Sequence, residues 1–174
     1  MGLSRVFVKL VCAVALGGVV LAGGCHRSAA IKVPIEGLTI PREYAASIEV
    51  KNWRGNVQVY ASDQFKAPEV LARVHPLNKT APRNTTELRK TVLVRAISSE
   101  EGGKRVLRVT GDSAQSPPGP VSLDLRIHIP RAWGIHIVNA GGEVELVGIG
   151  GPVNVENGGP GQEAARSRSV PASP

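Results

Sequence analysis

A chain of 174 residues with 21 Lys+Arg against 14 Asp+Glu carries a formal net charge of +7, yet aromatic residues make up only 3% of it. Its cations are scattered, and two Phe, two Tyr and two Trp provide no row of stacking rings, so the sequence argues against nucleic-acid binding. With 20 Gly, 13 Pro and no long apolar stretch of 3.6-residue period, helices should be scarce and small aliphatic side chains must build the core.

The first 24 residues read as a targeting segment. Arg5 and Lys9 form a positive start, and Leu10 to Ala22 is an apolar and glycine run. It is shorter than the roughly 20 residues a membrane-spanning helix needs. Leu21-Ala22-Gly23-Gly24-Cys25 resembles the bacterial lipobox, with Ala22 standing where leucine is most favoured. That resemblance implies cleavage before Cys25 and acylation of its thiol with palmitate-type chains, giving a lipoprotein held to membrane lipid on the extracytoplasmic side of the cell envelope. Cysteine usage agrees. Cys12 falls in the removed segment, so Cys25 has no partner for a disulfide, and a lone thiol in an oxidising compartment is a liability. More than one acyl chain makes the anchor stable. Losing Arg5 and Lys9 lowers the net charge from +7 to +5, which favours an anionic surface such as headgroups or acidic polysaccharide.

Residues 25–45 are expected to be a lipidated tether, because Pro34 and Pro41 discourage regular structure. A β domain is expected over 46–157. Ile48 and Val50, then Val57 and Val59, alternate with polar residues around the turn Lys51 to Gly55, the pattern of half-buried strands. Glu69 to Val74 is a third strand, and the polar stretch Pro76 to Glu87 reads as loop. Thr91–Ser98 and Arg105–Thr110 flank a hairpin connection at Ser99 to Lys104, and Ser116 to Pro120 is a proline-rich loop that no sheet ladder admits. Val121 to Ile129 alternates without fault and ends at Pro130.

A nine-residue repeat follows: Ile135-His136-Ile137, Val144-Glu145-Leu146 and Val153-Asn154-Val155, separated by glycine-bearing turns. Ile48/Val50 and Val57/Val59 share that offset. Short strands contributing two inward side chains each, with corners made by glycine, predict a single-stranded β-solenoid or β-helix-like stack with an N-terminal antiparallel portion. Over Ala46 to Asn157 the chain resembles the bacterial adhesin domains of exported proteins, a group mostly of unknown function. Ile48–Tyr60, the strand Val121–Pro130 and the rungs Ile135–Val155 carry the likeness. It implies a β-solenoid and an adhesion-like surface role. Such domains usually continue through more rungs, whereas here Gln162 and Ala164 hold the next apolar positions, so the chain is read as naturally short or truncated. The tail 158–174 is expected to be disordered, leaving a last strand edge for self-association.

No catalytic set, cofactor or metal site is expected. His128 and His136 are placed on the polar faces of adjacent strands, with Asp124 sharing the face of His128, but no third ligand converges on them. Glu143 and Glu145 lie side by side on one strand, whereas a glycosidase needs carboxyl groups facing each other across the sugar. No Gly-x-Ser-x-Gly elbow accompanies Ser47, Ser113 or Ser122. Trp53, on the turn between the first two strands, is the one candidate ligand contact; it suits a sugar face, a membrane interface or a lid over the core. The expected function is therefore a non-enzymatic, membrane-anchored binding or envelope-structural module whose partner is surface polysaccharide or an envelope protein. The alternatives are a polysaccharide-acting enzyme on a β-helix scaffold, or an accessory of an envelope stress system.

Overall fold

The computed structural model describes residues 28–158. The targeting segment 1–24, Cys25 and the tail from 159 onward lie outside the described residues. Of those described, 59% are in strands and 5% in helix, so the fold is all-β.

In chain order the elements are β1 (Ala29–Val33), β2 (Ile35–Gly37), β3 (Ala46–Asn52), β4 (Val57–Ala61), β5 (Glu69–Pro76), α1 (Thr85–Lys90), β6 (Val92–Glu101), β7 (Lys104–Ser113), β8 (Val121–Ile129), β9 (Ala132–Asn139), β10 (Val144–Val147) and β11 (Gly150–Asn157). They form two mixed sheets. The first runs β1-β5-β8-β4-β10 and the second β11-β9-β3-β7-β6-β2. Period-2 alternation places Val121, Leu123, Leu125, Ile127 and Ile129 of β8 inward, all buried, against Ile48, Val50, Leu107 and Ile137 of the second sheet.

Three strand pairs, β7–β8, β3–β4 and β9–β10, each cross from the second sheet to the first and lie against one another in parallel. Ile48 pairs with Ile135 and Val57 with Val144. The nine-residue repeat therefore does not stack each rung on the next: Val144 goes to the opposite sheet, and Ile135 is met by Val153. The repeat counts strands, while the stacking unit is a pair of strands. Its spatial order also departs from the chain, since the β3–β4 pair sits between the two later ones.

Corners repeat along one side. Asn52 Nδ2 donates to the Leu123 carbonyl at 3.0 Å, Asn139 Nδ2 to that of Gly55 at 3.1 Å and Asn157 Nδ2 to that of Gly142 at 3.0 Å. Each asparagine thus binds the bend of the layer beside it. Gly55 (φ 117°) and Gly142 (φ 112°) permit this approach, because a Cβ there would lie 2.3 Å and 2.2 Å from the Leu123 and Gly55 carbonyl oxygens.

Two expectations are corrected at the other end. The segment read as a tether is structured from Ala29: β1 pairs antiparallel with β5, and β2 pairs with β6 after Pro34. A proline between two short edge strands ends one and begins the other without costing an interior ladder bond. The segment read as loop, Pro76 to Glu87, is loop from Leu77 to Asn84, but its last three residues begin α1. Asn84 caps it by accepting from the Thr86 N–H at 2.8 Å, Glu87 lies in its first turn and Leu88 is buried beneath it.

Candidate functional site

The outer face of the first sheet carries the most connected set of polar side chains. The alternation that buries the odd-numbered residues of β8 sends Asp124, Arg126 and His128 outward. Strand pairing then decides their neighbours: Arg126 lies between Leu71 and Gln58, His128 between Glu69 and Tyr60, and Asp124 beside Arg73. Arg126 donates through Nε (3.0 Å) and Nη2 (2.8 Å) to Gln58 Oε1. Gln58 Nε2 and the Tyr60 hydroxyl both donate to Glu145 Oε2, each at 2.8 Å. Partial burial, and then the bond to Glu145, push the Tyr60 hydroxyl above its ordinary pKa.

His128 stacks on Phe65 with ring centroids 4.7 Å apart and tilts against Tyr60 at 5.7 Å. Its Nδ1 is 3.7 Å from Glu69. Lys32 binds Glu69 at 2.8 Å and holds that carboxyl below its usual range. Asp124 receives the Asn56 N–H at 2.9 Å and lies 3.0 Å from His75 Nε2. Beside this network is a cavity of about 260 Å³ lined by Lys32, Gln58, Leu71, Arg73, Asp124 and Arg126. Arg126 is held by a neutral amide, and Arg73 has no ion-pair partner among the described residues. The groove thus sets the unpaired Arg73 and Arg126 beside the apolar Leu71, with Asp124 as its one carboxylate and Lys32 engaged by Glu69.

A second hollow of about 320 Å³ lies on the second sheet beside Trp133, His136, Pro152 and Asn154. Trp133 is 57% exposed, but its ring lies over Gly150 and Gly151, where a Cβ would come within 3.2 Å and 3.0 Å. Packing against the chain's own backbone occupies much of that ring.

The structure separates the two histidines that the sequence placed on adjacent strands. β8 and β9 follow one another in the chain but belong to different sheets, so His128 and His136 face opposite sides of the molecule. Among the described residues no group of three or more His, Cys, Asp or Glu could hold a metal ion. Glu145 is bound to Gln58 and Tyr60, whereas the Glu143 backbone N–H donates to Asn56 Oδ1 at 2.9 Å. Trp53 is half-buried and packs on the core. Sequence reading gave no role to Lys32, Tyr60, Phe65, Arg73 and Arg126, because β1 and β5 on one side, and β4 with the turn after it on the other, join β8 only through pairings that alternation does not specify. Comparison with protein-family models, with curated proteins and with solved structures gives no match for this chain.

Proposed function

We propose that this chain is a lipid-anchored, non-enzymatic binding module on the extracytoplasmic side of a bacterial envelope, that its stacked strand pairs are a short β-solenoid of adhesin-like kind, and that the groove of the first sheet takes an acidic polysaccharide. The observation that carries the ligand is the groove: among the described residues neither Arg73 nor Arg126 is in an ion pair, both neighbour the apolar Leu71, and Asp124 is the one carboxylate in the lining, 3.0 Å from His75. A guanidinium fork suits a uronate carboxylate, and an aliphatic floor suits the C–H face of a sugar ring. Arg126 is pre-positioned by Gln58, so little side-chain freedom is lost on binding. The anchor is supported by the lipobox-like run ending at Cys25.

Titration calorimetry with polygalacturonate tests the groove. Arg126→Ala and Arg73→Ala should each weaken binding about tenfold, a loss of the size expected for one charge-assisted hydrogen bond. Unchanged affinity in both variants overturns the site, and release of reducing ends overturns the non-enzymatic reading. Mass spectrometry of the N-terminal peptide tests the anchor, which fails if Cys25 is unmodified. The half-covered Val153, 46% exposed on the last strand of its sheet among the described residues, supports self-association through β11 as part of this reading. A sedimentation coefficient independent of concentration would sink that part.

A further inference from the structure

We infer that the side of the body where β1 begins rests on an anionic lipid headgroup layer, with Lys79 and Arg83 as its principal lipid-facing cations. The orientation depends on the acylation of Cys25 proposed above.

Reach comes first. Only four residue steps separate Cys25 from Ala29, already hydrogen-bonded into the first sheet opposite Val74. Fully extended, four residues span at most about 14 Å. A fold beginning at residue 46 would have floated on a tether several times longer. One that begins at Ala29 is held against the surface to which Cys25 is anchored.

The topology then says which side faces that surface. β1 runs antiparallel to β5, so the chain's start lies beside the end of β5, where the chain leaves into the loop 77–84 and α1. Helix α1 packs on β1, β5 and β6. Arg89 of α1 donates to the Ala30 carbonyl at 2.9 Å, which ties the helix to the first residues of the fold. The Leu77 N–H donates to the Pro120 carbonyl at 2.8 Å, fixing the loop on the same side.

Charge and apolar exposure coincide there. From Arg73 to Arg95 there are six Lys+Arg and one acidic residue, Glu87; the other described residues hold ten Lys+Arg and twelve Asp+Glu. The positive excess of the body is thus confined to this span. Lys90 is engaged with Glu87 at 2.9 Å, whereas Lys79 and Arg83 are exposed and have no ion-pair partner among the described residues. Leu77 and Leu93, at the two ends of the loop-and-helix segment, are 53% and 59% exposed. Protruding leucines set among cations suit a surface with anionic headgroups above an apolar layer, and fit a dissolved polysaccharide less well.

The test is hydrogen exchange of residues 77–93 in the acylated chain, reconstituted into phosphatidylglycerol or phosphatidylcholine nanodiscs. Protection should be at least fivefold greater in phosphatidylglycerol and should vanish in 1 M salt, where screening is short-ranged. Each cation removed should weaken the contact roughly fivefold, so Lys79→Gln with Arg83→Gln should abolish the difference. Leu77→Asn should reduce protection in phosphatidylglycerol at low salt, where the contact is made. Equal exchange in the two discs, or protection indifferent to Lys79→Gln/Arg83→Gln, overturns the inference while leaving the anchor intact. Protection of the same segment by polygalacturonate but not by phosphatidylglycerol also overturns it. An unmodified Cys25 in the mass spectrum, together with charge-dependent protection when the chain is added to phosphatidylglycerol vesicles, sinks the anchor and upholds the lipid-facing surface.

Discussion

Compare the middle of the stack, where β8 lies between β5 and β4, with its far end, where β10 and β11 are the outermost strands. Both are written in the same code of alternating valine, leucine and isoleucine. In β8 every inward residue is buried, whereas in β10 Val144 and Leu146 are only partly covered and in β11 Val153 is 46% exposed. Alternation decides which face a side chain takes, but burial depends on having strands on both sides and a sheet opposite. β11 extends the second sheet by one strand beyond β9, and among the described residues the first sheet has no strand facing it. Equal patterns therefore carry unequal energy.

The largest test of that difference is a matched pair of truncations. Leu125→Ala, in the fully enclosed β8, should cost about 2–5 kcal/mol through lost contacts and an unrelieved cavity. Leu146→Ala, at the half-covered edge, should cost about 1 kcal/mol, because water already reaches its side chain. Urea midpoints at constant slope measure both. Equal losses would mean that the far end is as well enclosed as the middle, and the comparison would fail.

A smaller difference is expected along the asparagine corner. Asn52 is buried and donates at 3.0 Å to the Leu123 carbonyl, in the enclosed part of the stack. Asn52→Ala leaves that carbonyl without its side-chain donor and should cost about 1–3 kcal/mol. Asn157 is half-buried and binds the Gly142 carbonyl at the outer layer, where water can substitute. Asn157→Ala should cost about 0.5–1 kcal/mol. If the outer substitution is the more damaging of the two, the corner ladder gains strength toward the edge and the ranking is reversed.

These contrasts also mark what the sequence makes legible. β8 was readable residue by residue, since five apolar positions alternate and Pro130 closes the strand. The hairpin joining β6 to β7 was readable from Gly102-Gly103. Partners were not. Val57 lies between Leu125 and Val144, both far along the chain, and nothing local in any of the three strands records that neighbourhood. The same blindness hid the groove, whose Lys32, Arg73 and Arg126 come from three strands brought together only by pairing. Helix α1 did leave a signal in Asn84 with Glu87 three residues on, but six residues are too few to show a helical period. β1 and β2 were obscured by Pro34, which looks like a breaker until both short strands are seen to lie at sheet edges.

The smallest expected effect is on pH, and it separates the same regions by how their carboxylates are held. On the second sheet, Arg108 on β7 bridges Glu49 of β3 (2.6 Å) and Glu101 of β6 (2.7 Å through Nη2). That bond holds Glu101 below its usual pKa of 4.5, as Lys32 does for Glu69. At the far end, Glu145 instead takes its bonds from uncharged Gln58 and Tyr60. A carboxylate whose folded pKa is depressed adds stability that is complete above its unfolded value and drains away as pH falls through the folded one. Acidification from 4.5 downward should therefore lower the melting temperature, in part by loosening the Arg108–Glu101 contact between β7 and β6. Because these groups are exposed, solvent screens the pairs and the slope should be shallow. Glu101→Gln should flatten it, and 1 M salt should flatten it further by screening what remains. A dependence on pH as steep in the Glu101→Gln variant as in the parent chain would remove the Arg108–Glu101 bridge as a source of the acid sensitivity.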